Sequence, residues 1–263
     1  MKQIIKISSP NNETMKSFFN LRDKKTRNKE QKFLIEGYHL IEEASKTNYL
    51  ECVITSDEKM IGQFQDILVY YVTDVIIKRL SSTKNPQPIV GVVNMHNYSI
   101  NDLKNMIKKA EVKMVILDNI NDPGNLGTMI RTSAALGYDA IVMSNDCVDL
   151  YNEKVVRSTQ GVLFKIPIVR GDLIDMIQLF KKSNIICYGT SLNKAYDLEK
   201  ADKFSRFAIC VGNEARGVRD EILSLMDYHI QIPMQNDVES LNVAVALGTV
   251  SYTHLTLPTK LEV

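Results

Sequence analysis

Paired metal ligands and clustered nucleophiles are scarce in this sequence. The four histidines are scattered, and the four cysteines are widely spaced, form no CxxC pair and have no histidine nearby. This spacing argues against a metal site and against a histidine-based nucleophilic relay, and it predicts reduced thiols buried in a core. The cysteines are Cys52, Cys147, Cys187 and Cys210, and the histidines are His39, His96, His229 and His254.

Long apolar runs are also missing. No window approaches the roughly twenty consecutive apolar residues that a membrane helix requires. Residues Met1 to Pro10 lack the long apolar core of a secretory signal. With 24% charged and 44% hydrophobic residues, the 263-residue chain is expected to be a soluble, cytoplasmic protein with room for two ordinary domains.

The net charge is only +1, but it is distributed unevenly. Residues 1–32 contain nine lysines and arginines against three acidic residues, a local charge of +6, and the remainder sums to −5. A basic edge of this kind can hold nucleic-acid phosphates. A charge run taken alone more often forms a solvated helix face, and that alternative stays open. The candidate RNA-binding residues are Arg22, Lys24, Lys25, Arg27, Lys29 and Lys32.

Short apolar runs alternate with helical spacing through the first hundred residues, which predicts a small α/β domain. Phe33 to Gly37 starts as a strand and turns at Gly37 into a helix. Asn94 to Ile100 interrupts the apolar pattern, so we expect one domain over residues 1–100 and a second over 101–263. The other predicted elements are helices Ser9–Asn20, Tyr38–Lys46 and Asp74–Leu80 and strands Cys52–Thr55, Leu68–Val72 and Ile89–Val93.

The remainder of the chain repeats strand and helix regularly, with no internal repeat or low-complexity tract. Such alternation predicts a mainly parallel sheet covered by helices. The predicted strands are Lys113–Asp118, Ala140–Ser144, Lys165–Val169, Ile185–Gly189, Phe207–Val211 and Tyr228–Ile232. The predicted helices are Asn101–Lys109, Thr128–Leu136, Tyr151–Gln160, Asp172–Lys181 and Arg219–Met226.

Three loops in this second domain each follow a short apolar run and contain many residues that shape turns. They are Asn125–Arg131, Gly212–Gly217, and Ile232–Met234 ahead of Ser240–Asn242. Their positions predict one site at the carboxyl ends of the parallel strands. The turn Asp122–Gly127 fails the Gly-x-Gly-x-x-Gly spacing of a dinucleotide-binding loop, and no suitably placed acid follows. A nicotinamide-dependent oxidoreductase is therefore disfavoured.

These three loops, in this order, resemble the three motifs of the SpoU, or TrmH-type, RNA 2′-O-ribose methyltransferases of the SPOUT superfamily. The first domain is similar to the substrate-binding domain of the rRNA-directed members, through Phe33–Gly37 and Pro86–Val90. The resemblance implies a trefoil-knotted parallel sheet covered by helices, preceded by a smaller α/β domain with a ribosomal-protein-like fold. It also implies a homodimer and S-adenosylmethionine as methyl donor.

The resemblance implies a cofactor pocket formed by Gly212, Gly217, Ile232, Leu241, Thr190 and Ser191. Glycines bring main-chain groups close to a ligand, and apolar side chains form a slot for adenine. Plain core packing for Ile232 and Leu241, and an ordinary turn at Gly212, are the simpler alternatives.

The resemblance also implies a catalytic set of Arg131, Asn125, Glu214, Ser240 and Asn242. Because arginine stays protonated at neutral pH, we expect Arg131 to bind a phosphate and organise the ribose hydroxyl rather than to act alone as a base. Asn125 and Asn242 are expected to fix loop geometry or orient Arg131, and Glu214 to hold Arg131 or a neighbouring basic group. Ser240 is expected to steer the ribose or the cofactor's carboxylate. Helix capping by Ser240 or Asn242, a solvated Glu214 and a surface or dimer-interface salt bridge for Arg131 are the alternatives.

Two departures from the family pattern stand out. The third motif commonly has glycine where this chain has Asn236, but asparagine tolerates left-handed backbone angles, so we expect the turn to survive. After Val250, the β-branched residues and Pro258 fit poorly with a long closing helix. We expect the tail from about residue 253 to be foreign to the protein or misread.

The resemblance implies methylation of a ribose 2′-hydroxyl in RNA, with the basic first domain docking a structured RNA. It favours 23S ribosomal RNA, because the separate first domain resembles that of the rRNA-directed members. A tRNA-directed enzyme and a noncatalytic RNA-binding protein of the same fold are the alternatives. No metal and no membrane partner are expected.

Overall fold

The computed structural model describes residues 4–64, 66–191, 195–197, 202–236 and 240–256. The strands are β1 (Ile4–Ile7), β2 (Lys32–Glu36), β3 (Leu50–Thr55), β4 (Leu68–Val72), β5 (Ile89–Asn94), β6 (Val112–Leu117), β7 (Ala140–Ser144), β8 (Ile168–Gly171), β9 (Ile186–Thr190), β10 (Tyr196–Asp197), β11 (Arg206–Val211) and β12 (Tyr228–Gln231). The α-helices are α1 (Glu13–Asn20), α2 (Lys24–Glu30), α3 (Tyr38–Ser45), α4 (Asp74–Leu80), α5 (Ile100–Met106), α6 (Pro123–Ala135), α7 (Glu153–Ser158), α8 (Leu173–Lys182), α9 (Asp220–Leu223) and α10 (Val243–Thr256).

The chain forms two compact units. The first unit comprises Met1–His96 together with Asp149–Phe164, and the second comprises Asn97–Val148 and Lys165–Val263. Helix α7 therefore packs within the first unit, although it lies far along the chain from the other elements of that unit.

The first unit is a five-stranded sheet in the order β1-β4-β3-β5-β2. Strands β1, β4 and β3 are parallel, and β5 runs antiparallel to both β3 and β2. The predicted turn at Gly37 is confirmed, because β2 ends at Glu36, Gly37 has a φ of +95°, and α3 begins at Tyr38. Sequence reasoning missed β1, whose Ile4 and Ile5 are exposed at the sheet edge and show no buried alternation.

The second unit contains a seven-stranded sheet in the order β10-β12-β9-β11-β6-β7-β8, and every pairing is parallel. The predicted parallel sheet covered by helices is thereby confirmed. Buried side chains of β6, β7, β9 and β11 form its core with apolar residues of α5, α8 and α9. The near-continuous apolar character of these strands follows from burial on both faces.

Several element boundaries differ from the sequence predictions, and three of these differences have a clear physical cause. Helix α6 begins at Pro123 rather than Thr128, because Asp122 caps it and proline is well tolerated in the first helical turn. Strand β8 begins at Ile168 rather than Lys165, after Pro167, which has no N–H to donate to a ladder. Helix α10 continues through Thr256, which corrects the poor helical fit expected after Val250.

The continuation of α10 is stabilised by packing that its local sequence does not reveal. Ser251 is fully buried and accepts a hydrogen bond of 2.8 Å from the Tyr138 hydroxyl. The helix penalty of a β-branched residue amounts to only a few tenths of a kcal/mol, so tertiary contacts outweigh it. Residues 257–263 lie outside the described part of the chain, and the foreign origin of the tail stays a prediction.

The four cysteines are buried and free, which confirms the predicted reduced core thiols. Burial raises the pKa of Cys52 and of Cys187 to about 12. These thiols therefore do not supply a nucleophilic thiolate at neutral pH. No helix within the described ranges is long and apolar enough to cross a membrane.

Candidate active site

A cavity of about 400 Å³ lies at the carboxyl ends of β9, β11 and β12 in the second unit. The loops that follow parallel strands meet at this edge of a sheet, which is where ligand sites of α/β folds form. All six residues predicted to bind the cofactor line this one cavity: Thr190, Ser191, Gly212, Gly217, Ile232 and Leu241. The Leu241 side chain is 38% exposed, so plain core packing does not account for it.

The loop Gly212–Gly217 forms one wall of the cavity, and its own backbone holds it closed. Asn213 and Gly217 exchange two backbone hydrogen bonds of 2.9 Å, and Gly217 has a φ of +72°. The Asn213 side chain accepts hydrogen bonds from the N–H groups of Ala215 and Arg216 at 3.0 and 3.2 Å. A Cβ added at Gly212 would lie 2.2 Å from the Gly217 carbonyl carbon, so only glycine fits there without displacing the loop.

A chain of hydrogen bonds joins the three motif loops. The Asn125 amide nitrogen donates to Glu214 at 3.1 Å, and the Asn125 amide oxygen accepts from the Asn242 side chain at 2.9 Å. Both ends of the Asn125 amide are thus used, one by each of the other two loops. This arrangement fixes the first turn of α6 against the cavity wall and against the start of α10.

Glu214 holds the loop that precedes α6 rather than a basic side chain. Its carboxylate accepts hydrogen bonds from the backbone N–H groups of Asp122 at 3.1 Å and Asn121 at 3.4 Å, in addition to the bond from Asn125. The expectation that Glu214 holds Arg131 is therefore wrong. Partial burial alone would raise the pKa of Glu214, but the hydrogen bonds from Asn125 and the backbone outweigh it, and the pKa lies below its ordinary value.

The lowered pKa of Glu214 predicts a defined pH dependence of stability. Because the folded-state pKa lies below the unfolded value of about 4.3, the stabilisation is present above that value and is lost as the pH falls through the folded pKa. Wild type is expected to melt at a higher temperature than Glu214→Gln at pH 7, and the difference is expected to shrink toward zero below pH 4. Thermal melts of both proteins across this range test it. A gap that stays constant with pH would contradict the assignment.

Asn242 is the residue that caps α10. Its side-chain oxygen accepts hydrogen bonds from the N–H groups of Ala244 at 2.9 Å and Val245 at 3.3 Å, while its nitrogen donates to Asn125. Asn242 therefore both caps α10 and fixes the loop that contains Asn125. Ser240 lies outside the helix, is exposed and lines the cavity, so the alternative in which Ser240 caps the helix is wrong.

Arg131 lies on α6 at an exposed position and does not line the cavity. Its guanidinium makes no hydrogen bond or ion pair with any residue in the described ranges, so no surface ion pair holds it there. Asn125 does not orient it, since the Asn125 amide is engaged by Glu214 and Asn242. The salt bridge across a dimer interface stays the alternative for Arg131.

The basic segment of the first unit divides into exposed and internal residues. Arg22, Lys24, Lys25 and Lys29 are exposed, and Lys32 forms an ion pair of 2.6 Å with Glu51. Arg27 is buried, and it is removed from the candidate RNA contacts. Its guanidinium pairs with Asp149 at 2.5 Å and donates to the carbonyls of Leu21 and Arg22. Arg27 therefore ties α2 to a segment that is 122 residues away in sequence.

Sequence reasoning missed several residues of the cavity lining, among them Arg216, Asp220 and Met234. Arg216 and Met234 lie inside the three motif loops, so their positions are a usable signal. Asp220 lies outside the motif loops, at the first position of α9, so no motif indicates that it lines the cavity. In the described ranges, no group of three or more His, Cys, Asp or Glu side chains is arranged to hold a metal ion.

Comparison with known proteins identifies the family. Residues 113–252 match the SpoU rRNA methylase family, which covers more than half of the chain and all three loops around the cavity. The chain belongs to the SpoU rRNA methylase family. Residues 12–91 of this SpoU family member match the MRM3-like substrate-binding domain, in agreement with the similarity seen in the first domain.

Individual relatives of this SpoU family member cover between two thirds and nearly all of the chain. The 23S rRNA (guanosine(2553)-2′-O)-methyltransferase RlmP of Bacillus subtilis is 35% identical over 96% of this chain and 98% of its own length. The 23S rRNA (uridine(2479)-2′-O)-methyltransferase of Streptomyces viridochromogenes is 29% identical over 68% of this chain and 63% of its own length. The crystal structure of the AdoMet-bound rRNA methyltransferase from Sinorhizobium meliloti matches with a TM-score of 0.87 and 27% identity, covering 96% of this chain and 97% of the other.

Proposed function

We propose that this protein transfers the methyl group of S-adenosylmethionine to a ribose 2′-hydroxyl in 23S ribosomal RNA. The observation that carries the proposal is the hydrogen-bonded junction of Asn125, Glu214 and Asn242 beside the cavity. This junction holds helix α6, which contains Arg131, beside the cavity. The Bacillus and Streptomyces relatives are both named as 23S rRNA 2′-O-methyltransferases, which favours ribosomal RNA over tRNA.

The chemistry of the cavity lining fits S-adenosylmethionine. Apolar side chains of Ile230, Ile232 and Leu241 offer a slot for the adenine ring, and the carboxylate of Asp220 suits a ligand that carries positive charge. Hydroxyl groups of Thr190, Ser191 and Ser240 add hydrogen-bonding partners. When bound, S-adenosylmethionine supplies an electrophilic methyl group.

Different residues of this chain would bind the donor and position the RNA. Gly212, Gly217 and the cavity lining hold the donor, and the Asn125–Glu214–Asn242 junction keeps its pocket in register with α6. Arg131 binds the phosphate next to the target ribose and orients the hydroxyl, because a guanidinium recognises phosphate through paired hydrogen bonds. Holding both reactants in line accounts for much of the rate enhancement of such a transfer.

The proposal extends to the first domain. We assign RNA docking to residues 1–100 and methyl transfer to residues 101–263. Lys24, Lys25 and Lys29 present three exposed ammonium groups on one short helix, which suits contact with the phosphates of a structured RNA. Because ribosomal RNA is the proposed substrate, we also propose a cytoplasmic location.

We further infer a knotted catalytic domain and a homodimer, as the family resemblance implies. An exposed apolar stripe on α10 supports the dimer: Val245 is 55% exposed and Tyr252 is 62% exposed, and a spacing of seven residues puts them on one face of the helix. A second copy of the chain is the proposed occupant of this stripe.

A charge on this stripe is expected to separate the dimer. The double variant Val245→Asp/Tyr252→Ser is expected to sediment as a monomer at concentrations where wild type is dimeric, because a carboxylate would be buried without a partner. Analytical ultracentrifugation measures this. Val75→Asp is the matched control, since Val75 on α4 is 62% exposed but lies in the first unit. Equal dimerisation of the double variant and wild type would place the interface elsewhere.

The function is tested by binding and by transfer. Calorimetry with S-adenosylmethionine and with nicotinamide cofactors is expected to show binding of the first only. Labelled-methyl transfer to ribosomal RNA and, in parallel, to tRNA from a strain that lacks this protein is expected to label a 23S ribose, which mapping then locates. Absence of S-adenosylmethionine binding by the folded protein would refute the proposal, and labelling of tRNA alone would replace the substrate.

A further inference from the structure

We propose that Asp118 and Arg219 are positioning residues that hold one wall of the donor cavity in place. The inference rests on the proposed function of that cavity. Neither residue lines the cavity, so both act through the residues that they hold.

Asp118 is a fully buried carboxylate whose two oxygens are both used. It follows β6 directly and is 0% exposed. One oxygen accepts from the Arg219 Nε at 2.9 Å and Nη2 at 2.7 Å, and the other accepts from the Arg219 backbone N–H at 2.9 Å. Burying a carboxylate is costly unless its hydrogen bonds are made, and here one residue satisfies it through three donors.

The ion pair with Asp118 acts on the cavity through the sequence neighbours of Arg219. The neighbours of Arg219 in sequence, Val218 and Asp220, both line the cavity. The hydrogen bond from the Arg219 backbone therefore fixes the position of the segment Val218–Asp220, whose two ends line the cavity, relative to the end of β6. The Nη1 atom of Arg219 also contacts Asp146 at 3.3 Å and Glu221 at 3.1 Å, which hold the outer edge of the guanidinium.

The same pair connects the donor side of the site to the acceptor side. Asp118 begins the loop that leads into α6 and Arg131, and Arg219 ends the loop that starts at Gly212. Between them, the Asn213 side chain donates to the Asn119 carbonyl at 2.9 Å. A displacement of about 1 Å between reacting groups can lower the reaction rate about a hundredfold. The relative position of these two loops therefore matters for methyl transfer.

Asp139 offers a control at the opposite end of the strands, with a carboxylate that is 18% exposed where that of Asp118 is 0% exposed. Its carboxylate also combines an ion pair, with Lys109 at 2.5 Å, and a hydrogen bond from a backbone N–H, that of Lys113 at 2.9 Å. Asp139 precedes β7 and lies at the amino-terminal end of the strands, whereas Asp118 lies at the carboxyl-terminal end beside the cavity. Replacing Asp139 therefore removes a similar interaction without touching the donor wall.

The experiment compares the full-length variants Asp118→Asn, Arg219→Lys and Asp139→Asn at a temperature where thermal melts show each to be folded. Calorimetry measures the Kd for S-adenosylmethionine, and steady-state assays measure KM for RNA. We expect Asp118→Asn to raise the Kd tenfold or more and Arg219→Lys to raise it by a smaller factor, above twofold, because lysine keeps the charge but loses the forked geometry. Asp139→Asn is expected to stay within twofold of wild type, and KM for RNA is expected to change less than twofold in all three.

Unchanged donor affinity in folded Asp118→Asn, or an equal loss in Asp139→Asn, would overturn the inference. If Asp118→Asn does not fold, Arg219→Lys decides, and a Kd within twofold of wild type would overturn it. Wild type that fails to bind S-adenosylmethionine would instead refute the proposed function itself, so the two failures are distinguishable.

Discussion

Arg131→Ala is expected to lower kcat for methyl transfer by about a hundredfold to a thousandfold while leaving S-adenosylmethionine binding nearly unchanged. The magnitude is that typical of removing one preorganised charged or hydrogen-bonding group from an active site. The separation of effects follows from the structure, because Arg131 is exposed on α6 and lies outside the lining of the donor cavity. Labelled-methyl transfer and calorimetry on the same preparation measure the two quantities.

Arg131→Lys refines this expectation. Lysine keeps the positive charge but cannot make paired, planar contacts to a phosphate, so partial activity is expected. Because Arg131 has no partner within the described ranges, neither variant is expected to change the melting temperature appreciably. Full activity in Arg131→Ala would remove this residue from the mechanism.

Gly212→Ala is expected to weaken donor binding and to destabilise the fold. A Cβ at this position would lie 2.2 Å from the Gly217 carbonyl carbon and 2.2 Å from the Val218 nitrogen, and both are backbone atoms that no side-chain rotation can move. The loop must shift, which we expect to cost about 1–3 kcal/mol of unfolding free energy and to raise the Kd for S-adenosylmethionine by about tenfold or more. Calorimetry and chemical denaturation check the two effects.

Two further glycine variants are expected to have smaller effects than Gly212→Ala. Gly217 has open space where a Cβ would lie but a φ of +72°, so Gly217→Ala is expected to cost only the strain of a left-handed backbone, about 1–2 kcal/mol. Gly62 in the first unit has open space and no such backbone angle, so Gly62→Ala is expected to be neutral. Equal donor affinity in Gly212→Ala and Gly62→Ala would show that the closed loop does not shape the cavity.

Local patterns are sufficient to predict many elements of this fold. Strands β4 and β7 and helix α4 have the predicted bounds, because their apolar periodicity and flanking polar residues are contained within each segment. Asn236 also behaves as its residue type predicts, with a φ of +57° in place of the usual glycine. The edge strand β1 and the early start of α6 depend on a pairing partner or a cap, and the patterns of these segments do not reveal them.

The partners of the site residues are less accessible to sequence reasoning. The sequence predicts that Glu214 holds Arg131 or a neighbouring basic group, but Glu214 binds Asn125, which lies 89 positions away, and the backbone before α6. The sequence also predicts that Arg27 contacts RNA, but Arg27 pairs with Asp149, which lies 122 positions away. In both cases the residue type and its charge correctly indicate a polar, interacting side chain, and only the identity of the partner is wrong.

The sequence by itself determined the two-part α/β organisation, the parallel sheet, the three loops at one edge and the similarity to a methyltransferase family. Only the tertiary structure decided which side chains are free to meet a ligand and which are used within the protein. Arg131 has no partner among the residues that the structure describes, Arg27 is paired with Asp149, and Asp118 is a buried partner of Arg219. The physical reason is that periodicity reports the burial of one segment, whereas a hydrogen bond between distant residues depends on the order in which the strands assemble.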